Sequence, residues 1–299
     1  MNVFIIGGTG YLGSVLVAHL LTSGHTVTAL ARSDSSAERL RAAGATPVTG
    51  ALSDTSVLRA AAATADAVVY AASDYAATEE SMREEIDAVT AIVNGAGASR
   101  SGKPVVYTST GLVYGFDPTD VTEDADLPAV SAQPVKPHAE QIILNAQDVT
   151  GIVIRAGLIF GRGGTGLVTG LIAAAVHTGA STYIADGTNT WHPVHVDDLA
   201  DLYVRAIERP VGGIFNAAGT VPFSFKDLAD AIGELTRTPS VSVPFDVAET
   251  RMGTFARTLA STSRLLAAKA RSTYDWQPDA RSLIDEVRNG SYVAPTTTT

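Results

Sequence analysis

Gly7-Gly8-Thr9-Gly10-Tyr11-Leu12-Gly13 decides how the rest of this 299-residue chain is read. The stretch follows an apolar run, Val3–Ile6, and opens a helix-forming one, Gly10–Ser23, which Gly24 closes. Glycines placed this way permit a tight strand-to-helix turn, close approach of backbone to a pyrophosphate, and close packing of helix on sheet. The helix N-terminus adds unpaired N–H groups and the positive end of its dipole. Gly7, Thr9, Gly10, Tyr11 and Leu12 are therefore expected to hold the phosphates of a dinucleotide.

Outward from the turn, short β-branched runs alternate with helical stretches. Strands are expected at Val3–Ile6, Thr26–Ala31, Pro47–Thr49, Ala67–Ala71, Pro104–Ser109 and Gly151–Arg155. Helices are expected between them at Ala37–Ala43, Val57–Ala63, Glu79–Ala98 and His138–Gln147. That alternation is the pattern of βαβ units around a parallel sheet. Beyond Phe160 the regularity breaks at Gly161–Gly166, which holds four glycines in six residues. Helices then read at Leu167–Thr178, Val196–Glu208, Ser224–Thr236 and Arg257–Ala270, the last with a possible turn in its middle, and a strand at Gly212–Asn216. The expected fold class is α/β, a Rossmann doubly wound parallel sheet with a smaller C-terminal substrate-binding lobe. Residues 1–160 would form the dinucleotide-binding core, rejoined by about 196–217. The lobe would take 161–195 and 218–293, leaving 294–299 as a disordered tail.

The second strand ends Leu30-Ala31-Arg32-Ser33. An acidic residue there would bond the ribose 2′-OH of NAD, whereas an arginine accommodates the 2′-phosphate of NADP. Arg32 with Ser33 points to NADP(H) rather than NAD(H), with Asp34 as the carboxylate that would reverse the choice. A net charge of −10 argues against nucleic acid, which needs basic patches. There is no cysteine, so thiolate chemistry is excluded and a zinc site would need His and carboxylates alone. His19, His25 and His177 show no ligand spacing, and no metal is expected. No apolar run approaches the ~20 residues of a membrane span, and no secretory signal is read at Met1. A cytoplasmic protein with no membrane partner is expected.

The glycine turn, the segment Val105-Val106-Tyr107-Thr108-Ser109-Thr110 and the stretch Gly111–Gly115 together resemble the extended short-chain dehydrogenase/reductase family. Further matches follow in order. Val153–Gly161 is similar to its LRP…YG segment, with Ala156 for proline and Phe160 for tyrosine; Val194–Ala200 resembles its hVdDla segment, and Ile214–Gly219 its late strand. The family includes nucleotide-sugar epimerases, dehydratases and ketone reductases. The resemblance implies that Leu52 faces the adenine, although Ala51 replaces the usual aspartate before it. It implies that Ala71, Ala72 and Ser73 lie along ribose and pyrophosphate, that Thr108 and Ser109 flank the nicotinamide, and that Ala156 to Leu158 close over its carboxamide. It also implies a possible homodimer through the Glu79–Ala98 helix and the helix after Lys136.

One departure matters. The family's chemistry uses Ser, Tyr and Lys, the last two spaced YxxxK, with the lysine lowering the tyrosine pKa. Ser109 fits the first role and Lys136, followed by Glu140, the last; four residues before Lys136 stands Ala132. A methyl group donates no proton, and Pro134 and Pro137 shorten or delay the helix. Another acid could serve: Tyr114, His138 or His192. An iminium or activated alkene would need no strong protein acid. The expected function is NADP(H)-dependent hydride transfer to or from a small carbonyl or imine compound, with Ser109 and Thr110 bonding its heteroatom. A non-catalytic NADP(H)-binding sensor or scaffold is the alternative from another class, and a lyase, isomerase or epimerase the alternative within enzymes.

In the lobe, Trp191-His192-Pro193 is expected at the substrate pocket. His195 and Asp197 are expected to anchor a loop, and Arg155 to be a buried ion-pair partner. Phe245, Met252 and Phe255 around Arg251, together with Phe223 and Phe225, would cap the pocket and suit a rather apolar substrate. Arg237, Arg251 and Arg257 are the basic groups available to a diphosphate.

Overall fold

The protein is described from a computed structural model that covers residues 1–73, 78–116 and 120–294. The first strand, β1 (Asn2–Ile6), shows how the sheet is made. Its side chains alternate, Val3 and Ile5 entering one core and Phe4 and Ile6 another, and all four are within 1% of full burial. A strand apolar on both faces belongs inside a parallel sheet covered on both sides.

Six more strands join it: β2 (Thr26–Ala31), β3 (Thr46–Thr49), β4 (Ala67–Tyr70), β5 (Lys103–Thr110), β6 (Val149–Ala156) and β7 (Gly213–Ala217). The sheet is seven-stranded, in the order β7-β6-β5-β4-β1-β2-β3, and every pair is parallel. The order reverses beside β1, so the helices that follow β1 and β4 pass to opposite faces of the sheet, the arrangement that opens a crevice at the strands' C-terminal ends. One face is covered by α1 (Tyr11–Thr22) and α7 (Val196–Glu208). The other is covered by α3 (Thr55–Thr64), α4 (Glu79–Gly97) and α5 (Val135–Leu144), while α2 (Asp34–Ala42) follows β2. This is the doubly wound α/β fold.

A third core lies beyond the sheet, where Phe160, Val168, Ile172, Trp191, Leu228 and Val287 meet. Around it stand α6 (Gly166–Thr178), α8 (Phe225–Thr236), and the parallel pair Ser181–Ile184 and Ser240–Val243. Phe223 and Phe225 belong to this core, 3% and 6% exposed, with Trp191 edge-on to Phe225 at 5.1 Å. That corrects their expected place in a substrate cap: packing inside the lobe claims both rings.

The expected helix Arg257–Ala270 is also corrected. Helices run over Thr254–Ala260 and Ala268–Tyr274, and between them Arg264–Leu265 is a strand beside Asp120–Val121. The break follows from competition for backbone groups: the Ser263 N–H donates to Thr190 O, and Ser263 O accepts from the His192 N–H. Of the expected tail, all but Ala294 lies outside the described residues. No helix among the described residues is long and apolar enough to cross a membrane.

Candidate active site

The glycine turn meets the end of β4. Gly7 has φ +92°, and a Cβ there would stand 2.7 Å from the Ala72 backbone nitrogen. A Cβ at Gly13 would stand 2.0 Å from Gly7 O, so helix and turn touch only because neither residue has a side chain. Gly10 caps α1 with no side-chain hydrogen bond, and no acidic residue occupies the first turn. The N–H groups of that turn therefore face the crevice without a protein partner at the cap, which suits an anion. Leu12 turns its side chain into the core, while Gly7, Thr9 and Gly10 stay at the surface. Ala71 and Ala72 are half-buried beside Gly7, and Ser73 is exposed.

Arg32 stands exposed at the end of β2. Ser33 caps α2, its hydroxyl accepting from the Ser36 N–H at 3.2 Å. A residue that sequence reasoning missed joins them: Arg39, on α2, donates from Nη2 to Thr9 O at 2.8 Å. Its signal was an arginine two helical turns after the strand end. Leu52 is half-buried against the core shared by α3 and α4. Ala156 is buried and Leu158 half-buried, with the Gly157 N–H between them donating to Ala217 O at 2.9 Å.

The end of β5 sorts its hydroxyls by strand alternation. Tyr107 and Ser109 point toward α4 and α5, and Thr108 points toward α7, where its Oγ1 meets the Tyr203 hydroxyl at 2.7 Å. Ser109 is 3% exposed and donates to Glu140 Oε1 at 2.5 Å. Arg155 closes on the same carboxylate, Nε to Oε1 at 3.0 Å and Nη2 to Oε2 at 2.6 Å. Burial opposes the charge on Arg155, but Glu140 outweighs it and holds the guanidinium more firmly protonated than usual. The expectation that Ser109 bonds the substrate is thereby corrected: its hydroxyl is spent inside the sheet. Thr110 is half-exposed, and its oxygen accepts the Leu112 N–H at 3.2 Å, which leaves the hydroxyl proton free to donate.

Tyr114, expected as a possible acid, is also committed elsewhere. Its hydroxyl donates to Asn216 Oδ1 at 2.8 Å and accepts from Arg155 Nη1 at 2.9 Å. Burial raises its pKa although Arg155 and Asn216 pull the other way. Lys136 lies in the first turn of α5, which starts at Val135 behind Pro134, so Ala132 is outside the helix. Its ammonium is 3% exposed, 2.7 Å from Glu85 Oε1 and 3.4 Å from Thr108 O. Tyr107 donates to the same Glu85 oxygen. Glu85, which no motif flagged, neutralises Lys136 from α4.

His138 is exposed on α5. His192 is half-buried beside Gly157, its backbone oxygen where a Cβ on Gly157 would fall. Burial lowers its pKa, and its Nδ1 is enclosed without a partner. Asp197 anchors a loop as expected, accepting from Arg162 Nη2 at 2.6 Å and lying 2.8 Å from His19 Nε2. Phe245, Met252 and Phe255 are exposed, and Arg257 stacks on the Phe116 ring at 4.6 Å.

The profile of the NAD dependent epimerase/dehydratase family matches residues 3–218. The chain is 29% identical over 294 residues to the uncharacterized protein YLL056C of Saccharomyces cerevisiae, covering 96% of this chain and 98% of that one. It is 30% identical over 222 residues to 4-hydroxy-2-methyl-3-oxo-4-farnesyl-3,4-dihydroquinoline-1-oxide ketoreductase of Stigmatella aurantiaca, covering 71% of this chain and 66% of that one. Its fold is similar to that of a UDP-glucose 4-epimerase from Thermotoga maritima, with a TM-score of 0.79 at 18% identity and 97% of each chain covered.

Proposed function

The chain belongs to the NAD dependent epimerase/dehydratase family, and from that footing we propose that it is an NADP(H)-dependent oxidoreductase acting on a small, rather apolar carbonyl or imine compound. The observation that carries this reading is the cradle at Gly7, Gly10 and Gly13, open at the helix cap and walled by Ala71 and Ala72. Those residues fit a pyrophosphate. Arg32 and Arg39 supply positive charge where a 2′-phosphate would lie, and Ser33 adds a hydroxyl. Bound there, the nicotinamide would supply or accept the hydride.

Thr110 orients the substrate through its free hydroxyl proton. A threonine hydroxyl positions a heteroatom but does not give up its proton near neutral pH, and Ala132 offers none. The final proton for a carbonyl is therefore drawn from solvent, while an imine already protonated in solution needs none. Phe245, Met252 and Phe255 are exposed, and placed over the pocket as we propose they would favour a substrate without a diphosphate. The relative from Stigmatella aurantiaca, by its name a ketoreductase of a farnesylated quinoline oxide, supports both the reaction type and an apolar substrate.

Ala132 equally favours a second reading, a dinucleotide-binding sensor without turnover. Incubation with NADPH and a panel of cyclic imines, N-alkyl iminium salts and aryl ketones separates the two. The oxidoreductase consumes NADPH in a substrate-dependent way and loses that activity in Thr110→Val. Tight NADPH binding with no consumption across the panel would favour the sensor.

A further inference from the structure

The loop Gly161–Gly164 is gripped from two distant parts of the chain. From α1, the Tyr11 hydroxyl donates to Gly161 O at 2.7 Å. From the C-terminal segment, the Tyr292 hydroxyl accepts the Gly161 N–H at 3.1 Å and donates to Gly164 O at 2.6 Å. Ser291 Oγ accepts the Gly163 N–H at 2.5 Å and is itself held by Glu286. The loop also lies directly on the Tyr11 ring, since a Cβ at Gly164 would stand 2.0 Å from it. Arg162, paired with Asp197, ties the remaining side.

This backbone does not hold its shape by itself. Arg162 (φ 51°) and Thr165 (φ 77°) are non-glycine residues in the left-handed region. Such residues persist where their surroundings impose them, and they concentrate where a segment must move or clamp. Tyr292 is 4% exposed and so close-packed that its hydroxyl has little room for other partners.

Tyr11 is the first residue of α1, next to the Gly10 cap. Its ring is fixed by the loop, and its backbone is part of the turn assigned above to the pyrophosphate. We propose that Ser291 and Tyr292 are positioning residues for the dinucleotide: with the Gly161–Gly164 loop they form a clasp that locks Tyr11 and slows cofactor release. The inference rests on the dinucleotide reading of the glycine turn. Donors fixed beforehand lose less freedom when a ligand arrives, which lengthens its residence. A C-terminal segment otherwise remote from the crevice thus acts on it through a single tyrosine.

The test measures NADPH dissociation from the full-length protein by stopped-flow displacement with excess NADP, alongside the melting temperature of the unliganded protein. Tyr292→Phe keeps the ring and removes both hydroxyl bonds; its dissociation rate is expected to rise roughly tenfold. Ser291→Ala removes one bond to the loop, from the Gly163 N–H, together with the hydroxyl's bond to Glu286, and is expected to give a rise of about threefold. Tyr274→Phe is the control, since its hydroxyl donates to Val211 O at 2.9 Å, ahead of the first residue of β7 and so at the end of the strands away from the glycine turn. It should lower the melting temperature, by one lost hydroxyl bond rather than two, without changing dissociation. Unchanged dissociation in both clasp variants, with wild type binding NADPH, overturns the clasp alone. If Tyr292→Phe does not fold, Ser291→Ala decides by the same criterion. A wild-type protein that binds neither NADPH nor NADH overturns the dinucleotide reading and the clasp with it.

Discussion

Ser109 and Arg155, partners in register on β5 and β6, converge on a single oxygen: the serine hydroxyl and the arginine Nε both donate to Glu140 Oε1. The serine that resembles a substrate-orienting group is thus a member of a buried ion-pair network, and the network extends through Tyr114 to Asn216. Removing one charged partner of a buried pair is costly because the other is left unpaired, about 3–5 kcal/mol. Glu140→Ala should therefore destabilise the protein on that scale in urea titrations. Ser109→Ala should cost only about 1 kcal/mol and leave NADPH affinity unchanged. A Ser109→Ala protein of full stability without activity would restore the serine to the chemistry.

Thr110→Val should reduce kcat roughly a hundred- to a thousandfold, in the range of one lost hydrogen-bond donor in the transition state. NADPH affinity should stay within about twofold, since the contact proposed for the hydroxyl is with substrate rather than cofactor. Steady-state kinetics with calorimetric titration separates the two effects.

The glycines of the turn should differ in kind. Gly13→Ala places a methyl group 2.0 Å from Gly7 O and should prevent stable packing of α1 on the sheet. Gly10 is extended, with φ −73° and ψ 178°, and a Cβ there would lie 3.2 Å from Gly7 O. Gly10→Ala should fold with near wild-type stability yet bind NADPH more weakly, because the added methyl stands where we propose that the phosphates lie. Thermal melts with and without NADPH distinguish the two variants.

How much of this was legible depends on the kind of signal. The parallel sheet was, because Val3–Ile6 and Ala67–Tyr70 are apolar on both faces and the strands are spaced by helices. The break in Arg257–Ala270 was not, because Ser263 is drawn into backbone pairing with Thr190 and His192, more than 70 residues away. The position of Lys136 could be read, but its neutralisation by Glu85 could not, since nothing in the spacing of α4 announces a charge aimed at β5. Phe223 and Phe225 have the composition of a cap and the location of a core. Arg39 reaches Thr9 only because β2 and α2 bring it back across the turn.

His192 gives a pH dependence with a definite sign. Burial lowers its pKa from the ordinary 6.5, so the folded protein binds fewer protons than the unfolded chain below that pH. Stability from this residue is present above the unfolded pKa and is lost as pH falls toward the lower folded value. Urea titrations at pH 7.5 and pH 5.5, as about two units spanning that range, should show a smaller loss on acidification in His192→Gln than in wild type. Equal losses would mean that the imidazole is not a depressed titrating group.

Arg32→Ala should raise the Kd for NADPH roughly tenfold, about 1.4 kcal/mol, while leaving NADH unaffected, because only NADPH carries the 2′-phosphate. The measurement that tests the central claim most directly is calorimetric titration of wild-type protein with NADPH and, separately, with NADH. Micromolar binding of NADPH with much weaker binding of NADH is the predicted result. Binding of neither would contradict the account, and the cradle at Gly7–Gly13 would then belong to another ligand.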